Sequence, residues 1–406
     1  MANIRPFRGL RPRTDLVEKV AALPYDVSTE DEVKAKRINP YSFYHITRSE
    51  IDIDTGAAVH SKEVYEKAGE NLTRFINEKT LIQDKEAYYY IYTLTMDGRN
   101  QTGLVCCSSL EDYENGIIKK HEFTQPVRVI DRVDNIVATK AHTGLVFLAY
   151  KELKSVSDII EKWKSEHQQE NNFISEDGIR HQLWVLDDQT IINEITQIFK
   201  EQVTQTYIAD GHHRTEAAFL AQDRVEGSQK GYYMTCIFPD TEVLIMDYNR
   251  VVIDLNGLSD ADFLKAVQEK FEIFESDHAY SPKVEHEFGM YLNGKWYILK
   301  AKANSYNAND TIEVLDVSIL QNNLLAPILG IDDPRTNERV GFIGGIKGLK
   351  GLMEEVDSKR ASVAFSCFPA SMKQLFDVAD CGKVMPPKST WFEPKTRDGL
   401  VLHLID

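Results

Sequence analysis

Around one glycine near mid-chain the sequence sets a carboxylate, two imidazoles and a guanidinium: Asp210, Gly211, His212, His213, Arg214, then Thr215. Such a set can hold an anion and move a proton. Thr206, Tyr207 and Ile208 are β-branched or aromatic and predict a strand. Asp210-Gly211 predicts a tight turn. Ala217, Ala218, Leu220 and Ala221 recur at helical spacing, so a helix should follow and sit close to a sheet. The first turn of a helix leaves N–H groups without internal acceptors, backed by the positive end of the dipole. The Gly211–Thr215 backbone, with His212, His213 and Arg214, therefore suits phosphate oxygens. The plain alternative is a capped helix start carrying solvated polar residues.

Three further stretches carry chemistry. Asp26 precedes Ser28, which reads as the N-cap of a helix running to about Ile38 with an acidic first turn of Glu30, Asp31 and Glu32. Asp26, in the loop, is the better functional carboxylate, with Glu30 second. Residues 116–142 hold Lys119, Lys120, His121, Glu122, Thr124, Arg128, Asp131, Arg132 and Asp134, and read as a binding loop or lid. His121-Glu122 there suits acid/base work or a metal, and a salt-bridged surface segment is the alternative. Lys388, Ser389 and Thr390 follow Pro386-Pro387 and could clamp a phosphate or carboxylate. Arg5, Arg8, Arg11 and Arg13 cluster around Pro6 and Pro12 in an extended arm. The glycine-rich run 341–348 lacks phosphate-loop spacing.

These stretches need elements to hold them. Helices are expected at 60–79, 156–167, 189–201, 261–271 and 316–328, with another after Gly344-Gly345. Strands are expected at 87–97 and 102–109, joined at Asp97-Gly98, and at 142–150, 181–186, 231–238, 243–253 and 399–405. The alternation describes a mixed α/β to α+β fold.

The chain has 406 residues, enough for two domains, with 42% hydrophobic and 27% charged residues. A formal net charge of −16 argues against non-specific nucleic-acid binding, so no nucleic-acid partner is expected. No apolar run has the length of a membrane span and the start lacks an apolar signal segment, so a cytoplasmic protein with no membrane partner is expected. Five cysteines without a CxxC pair speak against a disulfide framework and read as buried thiols.

At Asp210-Gly211-His212-His213-Arg214 the chain resembles the ParB/sulfiredoxin superfamily, and within it the free-serine kinases. More of its length is similar to a broad bacterial and archaeal family of unassigned function. That likeness runs through Pro24-Tyr25-Asp26-Val27, Asn39-Pro40-Tyr41, His121-Glu122 with Thr124, Asp131-Arg132, Ala209 to Arg214, and Met385 to Thr390. Sulfiredoxins carry a cysteine where His212 stands, so thiol reductase chemistry is excluded. The resemblance implies a ParB/sulfiredoxin-like core over 1–255, with an inserted α+β segment at about 80–200. It also implies a C-terminal α+β domain over 256–406 that packs back on the site.

It further implies a nucleotide-dependent kinase acting on a small hydroxylated metabolite such as free serine. ATP or ADP would donate, and Mg²⁺ would sit near Asp210. Gly211 to Thr215, Lys388 and Ser389 would hold phosphates; Asp26 or Glu30 would take the hydroxyl proton. Asp210, His212 and His213 would assist, and His121, Glu122, Thr124 and Arg132 would close over the acceptor. A non-catalytic nucleotide-binding regulator and a metal-dependent phosphohydrolase or nuclease built on Asp210, His212, His213 and His121 are the alternatives. The sequence leaves the oligomeric state open.

Overall fold

The structure, a computed structural model, describes residues 1–53 and 60–405. The chain divides into two compact units, Met1–Val243 with Pro394–Asp406, and Leu244–Glu393. The architecture is the mixed α/β kind that the alternation of strands and helices predicts.

In the first unit, helix α1 (Glu30–Ala35) continues as a tighter 3-10 turn to Ile38, and helix α2 spans Lys62–Asn77. The cap of α1 is Thr29 rather than Ser28. Thr29 Oγ1 accepts the Glu32 N–H while the Glu32 carboxylate accepts the Thr29 N–H at 2.7 Å, a reciprocal capping box. The Ser28 hydroxyl is instead 2.6 Å from the Tyr44 hydroxyl.

Strands β1 (Tyr89–Met96) and β2 (Arg99–Ser109) pair around Asp97 and Gly98, both at positive φ, as a two-residue hairpin requires. Then follow β3 (Ile118–Lys119), helix α3 (Pro126–Thr139), β4 (Val146–Tyr150), α4 (Lys154–Glu166), β5 (Asn171–Ile174), β6 (Arg180–Leu186), α5 (Gln189–Gln202), β7 (Thr206–Asp210), α6 (His212–Ala221) and β8 (Tyr232–Pro239). The sheet order is β3-β7-β4-β8-β2-β1-β6-β5. The pairs β3·β7 and β4·β8 are parallel and the other pairs along this path are antiparallel. Tyr89, Ile91, Leu104, Val146, Leu148, Ile208 and Ile237 fill the core beside this sheet.

Helix α3 corrects the loop expected across 116–142. Pro126 sits in its first turn, Lys140 ends it in the left-handed conformation, and Val129, Val133 and Ile136 form its buried stripe. Charged residues between these positions hide the period, and two of them, Asp131 and Arg132, are themselves buried. In α6, Ala217, Ala218 and Ala221 are buried as expected, whereas Leu220 is 43% exposed. Of the expected last strand only His403–Leu404 is regular.

The second unit carries a six-stranded antiparallel sheet. The strand expected over 243–253 is broken at Asp247. Leu244–Met246 pairs with Trp391–Glu393, while Tyr248–Val252 pairs with Val340–Gly344 and Val363–Cys367. The helix expected at 316–328 is a short α-helix, Asp316–Leu320, that widens into a π-turn at Gln321–Leu325. Cys106, Cys107, Cys236 and Cys367 are buried free thiols and Cys381 is exposed. Among the described residues no helix is long and apolar enough to cross a membrane.

Candidate functional site

The candidate site of the first unit lies where β3 and β7 end side by side. Their parallel register pairs Ile118 with Thr206 and Lys119 with Tyr207, so the loops after both strands emerge together. In parallel sheets that end is where ligands bind. A bulge between Ile208 and Asp210 turns the end of β7 and re-aims the Asp210 carboxylate. Gly211 then takes φ +97°, and α6 starts at His212. A Cβ at Gly211 would lie 3.1 Å from Arg214 Nε as well as in a disfavoured backbone region. Gly211→Ala is therefore expected to cost about 1–3 kcal/mol, read by urea denaturation, and to displace Arg214.

Arg214 is buried in the first turn of α6. Its Nη1 donates to the Leu145 carbonyl, and its Nη2 is 3.9 Å from Asp210 Oδ1. Burial opposes its charge, but Asp210, Asp26 and Asp398 outweigh burial and hold the guanidinium strongly basic. Lys395 donates to Asp210 Oδ2 at 3.0 Å. Burial raises the Asp210 carboxyl, yet the Lys395 ammonium and then Arg214 bring it well below the usual carboxylate range. Both Asp210 oxygens thus face cations, which does not fit the Mg²⁺ expected there.

Behind Arg214 is a cavity of about 30 Å³ lined by Tyr25, Arg132, Asn135, Thr143, Arg214 and Asp398, among others. It has room for roughly two water molecules. Arg132, from α3, is held by Asp131 through Nε at 2.7 Å and Nη2 at 2.6 Å. Its guanidinium lies 3.9 Å from the centre of the Tyr25 ring. Asp131 also accepts from the Tyr65 hydroxyl at 2.8 Å. Two buried polar atoms here, Asp398 Oδ1 and the Tyr25 hydroxyl, lack a hydrogen-bond partner. Orphans of this kind mark a place for water or ligand. Burial, reinforced by the charge of Asp26, pushes the Asp398 carboxyl up to about 7 despite Arg214 and Arg132. A carboxylate poised there takes and returns protons near neutrality.

The loop after β3 is stitched onto α6. The backbone N–H of His121 donates to His212 Nε2 at 3.3 Å, and that of Gln125 donates to His213 Nε2 at 2.9 Å. The Thr124 hydroxyl donates to Glu216. Rings of His121 and His212 meet edge to face, 4.5 Å apart. Burial keeps both neutral: His121 is lowered to about 4, and His212 falls well below the ordinary imidazole range, with the charge of His121 adding to burial. His213 is lowered too, by burial and then by Arg128.

Asp210, Gly211, His212, His213, Arg214, His121, Glu122, Thr124 and Arg132 are thus brought together. Asp26 is exposed, but its charge acts on His213, Arg214 and Asp398. Glu30 is exposed on α1, 3.5 Å from Lys34. Thr215 is fully buried, and its hydroxyl donates to the Gly211 carbonyl at 3.2 Å. Lys388 and Ser389 belong to the second unit. There the Lys388 ammonium is 5.6 Å from the centre of the Tyr248 ring, and the buried Ser389 hydroxyl donates to the Pro386 carbonyl at 2.5 Å. Lys395, Asp398 and Tyr25 escaped the sequence reading. Only Tyr25, in the Pro24-Tyr25-Asp26 run, carried a signal.

The model of a family described as a protein of unknown function (DUF1015) matches residues 4–318, and the chain belongs to that family. No curated protein matches it. Among solved structures it is similar to a free serine kinase, a mutant in complex with ADP. Identity is 12% and TM-score 0.35, over 71% of this chain and 87% of the other. A conserved hypothetical protein from Pyrococcus furiosus has 11% identity and TM-score 0.34, over 73% and 93%. SbnI with a C-terminal truncation, from Staphylococcus aureus, has 10% identity and TM-score 0.39, over 72% and 85%.

Proposed function

We propose that the protein is a nucleotide-dependent phosphotransferase of ParB/sulfiredoxin-like kind. It moves a phosphoryl group from ATP or ADP to the hydroxyl of a small metabolite, with free serine the first acceptor to try. The observation that carries this is the pairing of a cationic helix start with a proton acceptor: Arg214 and the first turn of α6 beside Asp398, whose carboxyl is pushed up to about 7. Phosphoryl transfer asks chiefly for positioning and charge neutralisation, and secondly for a base on the acceptor hydroxyl.

The roles follow from placement. N–H groups of the α6 start, with His213 and Arg214, hold the phosphates. The inner cavity is too small for a nucleotide and admits the hydroxyl end of the acceptor, with Arg132 and Tyr25 at its wall. Asp398 takes the hydroxyl proton, and the nearby charge of Asp26 keeps its proton affinity high. Asp210, held by Lys395, fixes Arg214. The loop from His121 to Gln125 covers this end of the sheet.

The test is thermal unfolding with ATP, ADP or AMP, with and without Mg²⁺, followed by transfer assays with free serine. A ligand at about 100 times its Kd stabilises the native state by about 2.7 kcal/mol. A raised melting temperature with at least one nucleotide, and label transferred to a hydroxyl acceptor, is the expected result. A melt that no nucleotide moves overturns the proposal.

A further inference from the structure

We infer that His121, Glu122 and His212 hold a divalent transition-metal ion of the zinc type. This stands on its own geometry and does not depend on phosphoryl transfer. Among the described residues, these three offer ligand atoms that all lie within 4.8 Å of one another. His212 Nδ1 is 3.7 Å from Glu122 Oε2. That is too long for a hydrogen bond. It is close to the separation of two ligands that each reach one ion at roughly 2.0–2.2 Å.

The second observation is an orphan. His121 Nδ1 is buried without a hydrogen-bond partner. Its ring bonds to the Ile208 carbonyl, so Nε2 is the donor and Nδ1 keeps a free lone pair. A ligating histidine typically shows this arrangement, with one nitrogen tied to a carbonyl and the other left for the ion. His212 must rearrange more: its ring proton leaves Nδ1, and the long 3.3 Å contact from the His121 amide to Nε2 opens. Glu122 is half exposed and marks the side from which an ion enters.

Two imidazoles and one carboxylate select zinc-like ions over Mg²⁺ or Ca²⁺, which prefer all-oxygen shells. Three protein donors leave a fourth position for water or an anion. The ion would pin the loop after β3 to the first turn of α6.

The full chain, freed of metal by chelation, is titrated with Zn²⁺ by calorimetry and with Co²⁺ by visible absorption. Expected are a single equivalent, the intense bands of four-coordinate Co²⁺, and a raised melting temperature. Glu122→Gln and His121→Ala should each weaken Zn²⁺ binding by at least about tenfold, the lower bound seen when only an outer partner is lost. His121 is buried and its variant risks misfolding, so the half-exposed Glu122 carries the decision, checked by an unchanged metal-free melt. Wild-type protein without a stoichiometric site, or Glu122→Gln binding as wild type does, overturns the inference. Nucleotide shifts recorded separately in chelator report on nucleotide binding without the ion, so the two readings can fail independently.

Discussion

Arg214→Ala is expected to lose about 3–5 kcal/mol of stability, measured by urea denaturation at neutral pH, and to abolish any nucleotide-induced rise in melting temperature. The guanidinium is buried, donates to the Leu145 carbonyl and faces the charges of Asp210, Asp26 and Asp398. Removing it strands buried negative charge and takes away the donor to the Leu145 carbonyl. Arg214→Lys keeps the charge but loses the planar fork, so it should recover only part of the stability. If Arg214→Ala unfolds at the wild-type denaturant concentration, the guanidinium is not what neutralises this cavity.

Asp398→Asn should reduce turnover by on the order of 10²- to 10⁴-fold while leaving the nucleotide-induced melting shift in place. The pH profile supplies the sharper readout. The carboxyl is pushed up to about 7, so as a base it is disabled by protonation below that pH. Wild-type activity should rise through about pH 7, and Asp398→Asn should lack this limb. Asp26→Asn removes one of the charges raising Asp398 and should move the limb to lower pH. Glu30→Gln, on the exposed face of α1, should leave the midpoint where it is. The same group makes a definite contribution to stability. Its folded pKa exceeds that of an ordinary aspartate, so what it adds is fully present below about pH 4. That contribution is lost as the pH rises to about 7. An unshifted limb in Asp26→Asn, with Asp398→Asn fully active, would exclude Asp398 as the base.

Legibility followed the range of the interactions involved. The strand, turn and helix from Thr206 to Ala221 were visible because each rests on local chemistry: β-branched residues, a glycine at positive φ, and alanines at helical spacing. The hairpin at Asp97-Gly98 was visible for the same reason. Helix α3 was hidden because Asp131 and Arg132 look like a solvated face yet turn inward, satisfied by each other, Tyr65 and Tyr25. The cap at Thr29 was missed by one position because Ser28 spends its hydroxyl on Tyr44, distant in sequence. Asp398 had no local signature. Its basicity comes from burial and the charge of Asp26, only partly offset by Arg214 and Arg132, all supplied by distant parts of the chain that no window of sequence displays. Lys395 beside Asp210 is the same case at a separation of 185 residues.

The return of Pro394–Asp406 to the first unit bears on how the molecule is made. A ribosome emits the chain from its N-terminal end, and domains tend to fold as they emerge. Here Lys395, which holds Asp210, and Asp398, whose charge acts on Arg214, emerge only after the whole of Leu244–Glu393 has been synthesised. Until then the nascent first unit has no Lys395 ammonium and no poised carboxylate, so its site stays incomplete while the intervening unit is being made.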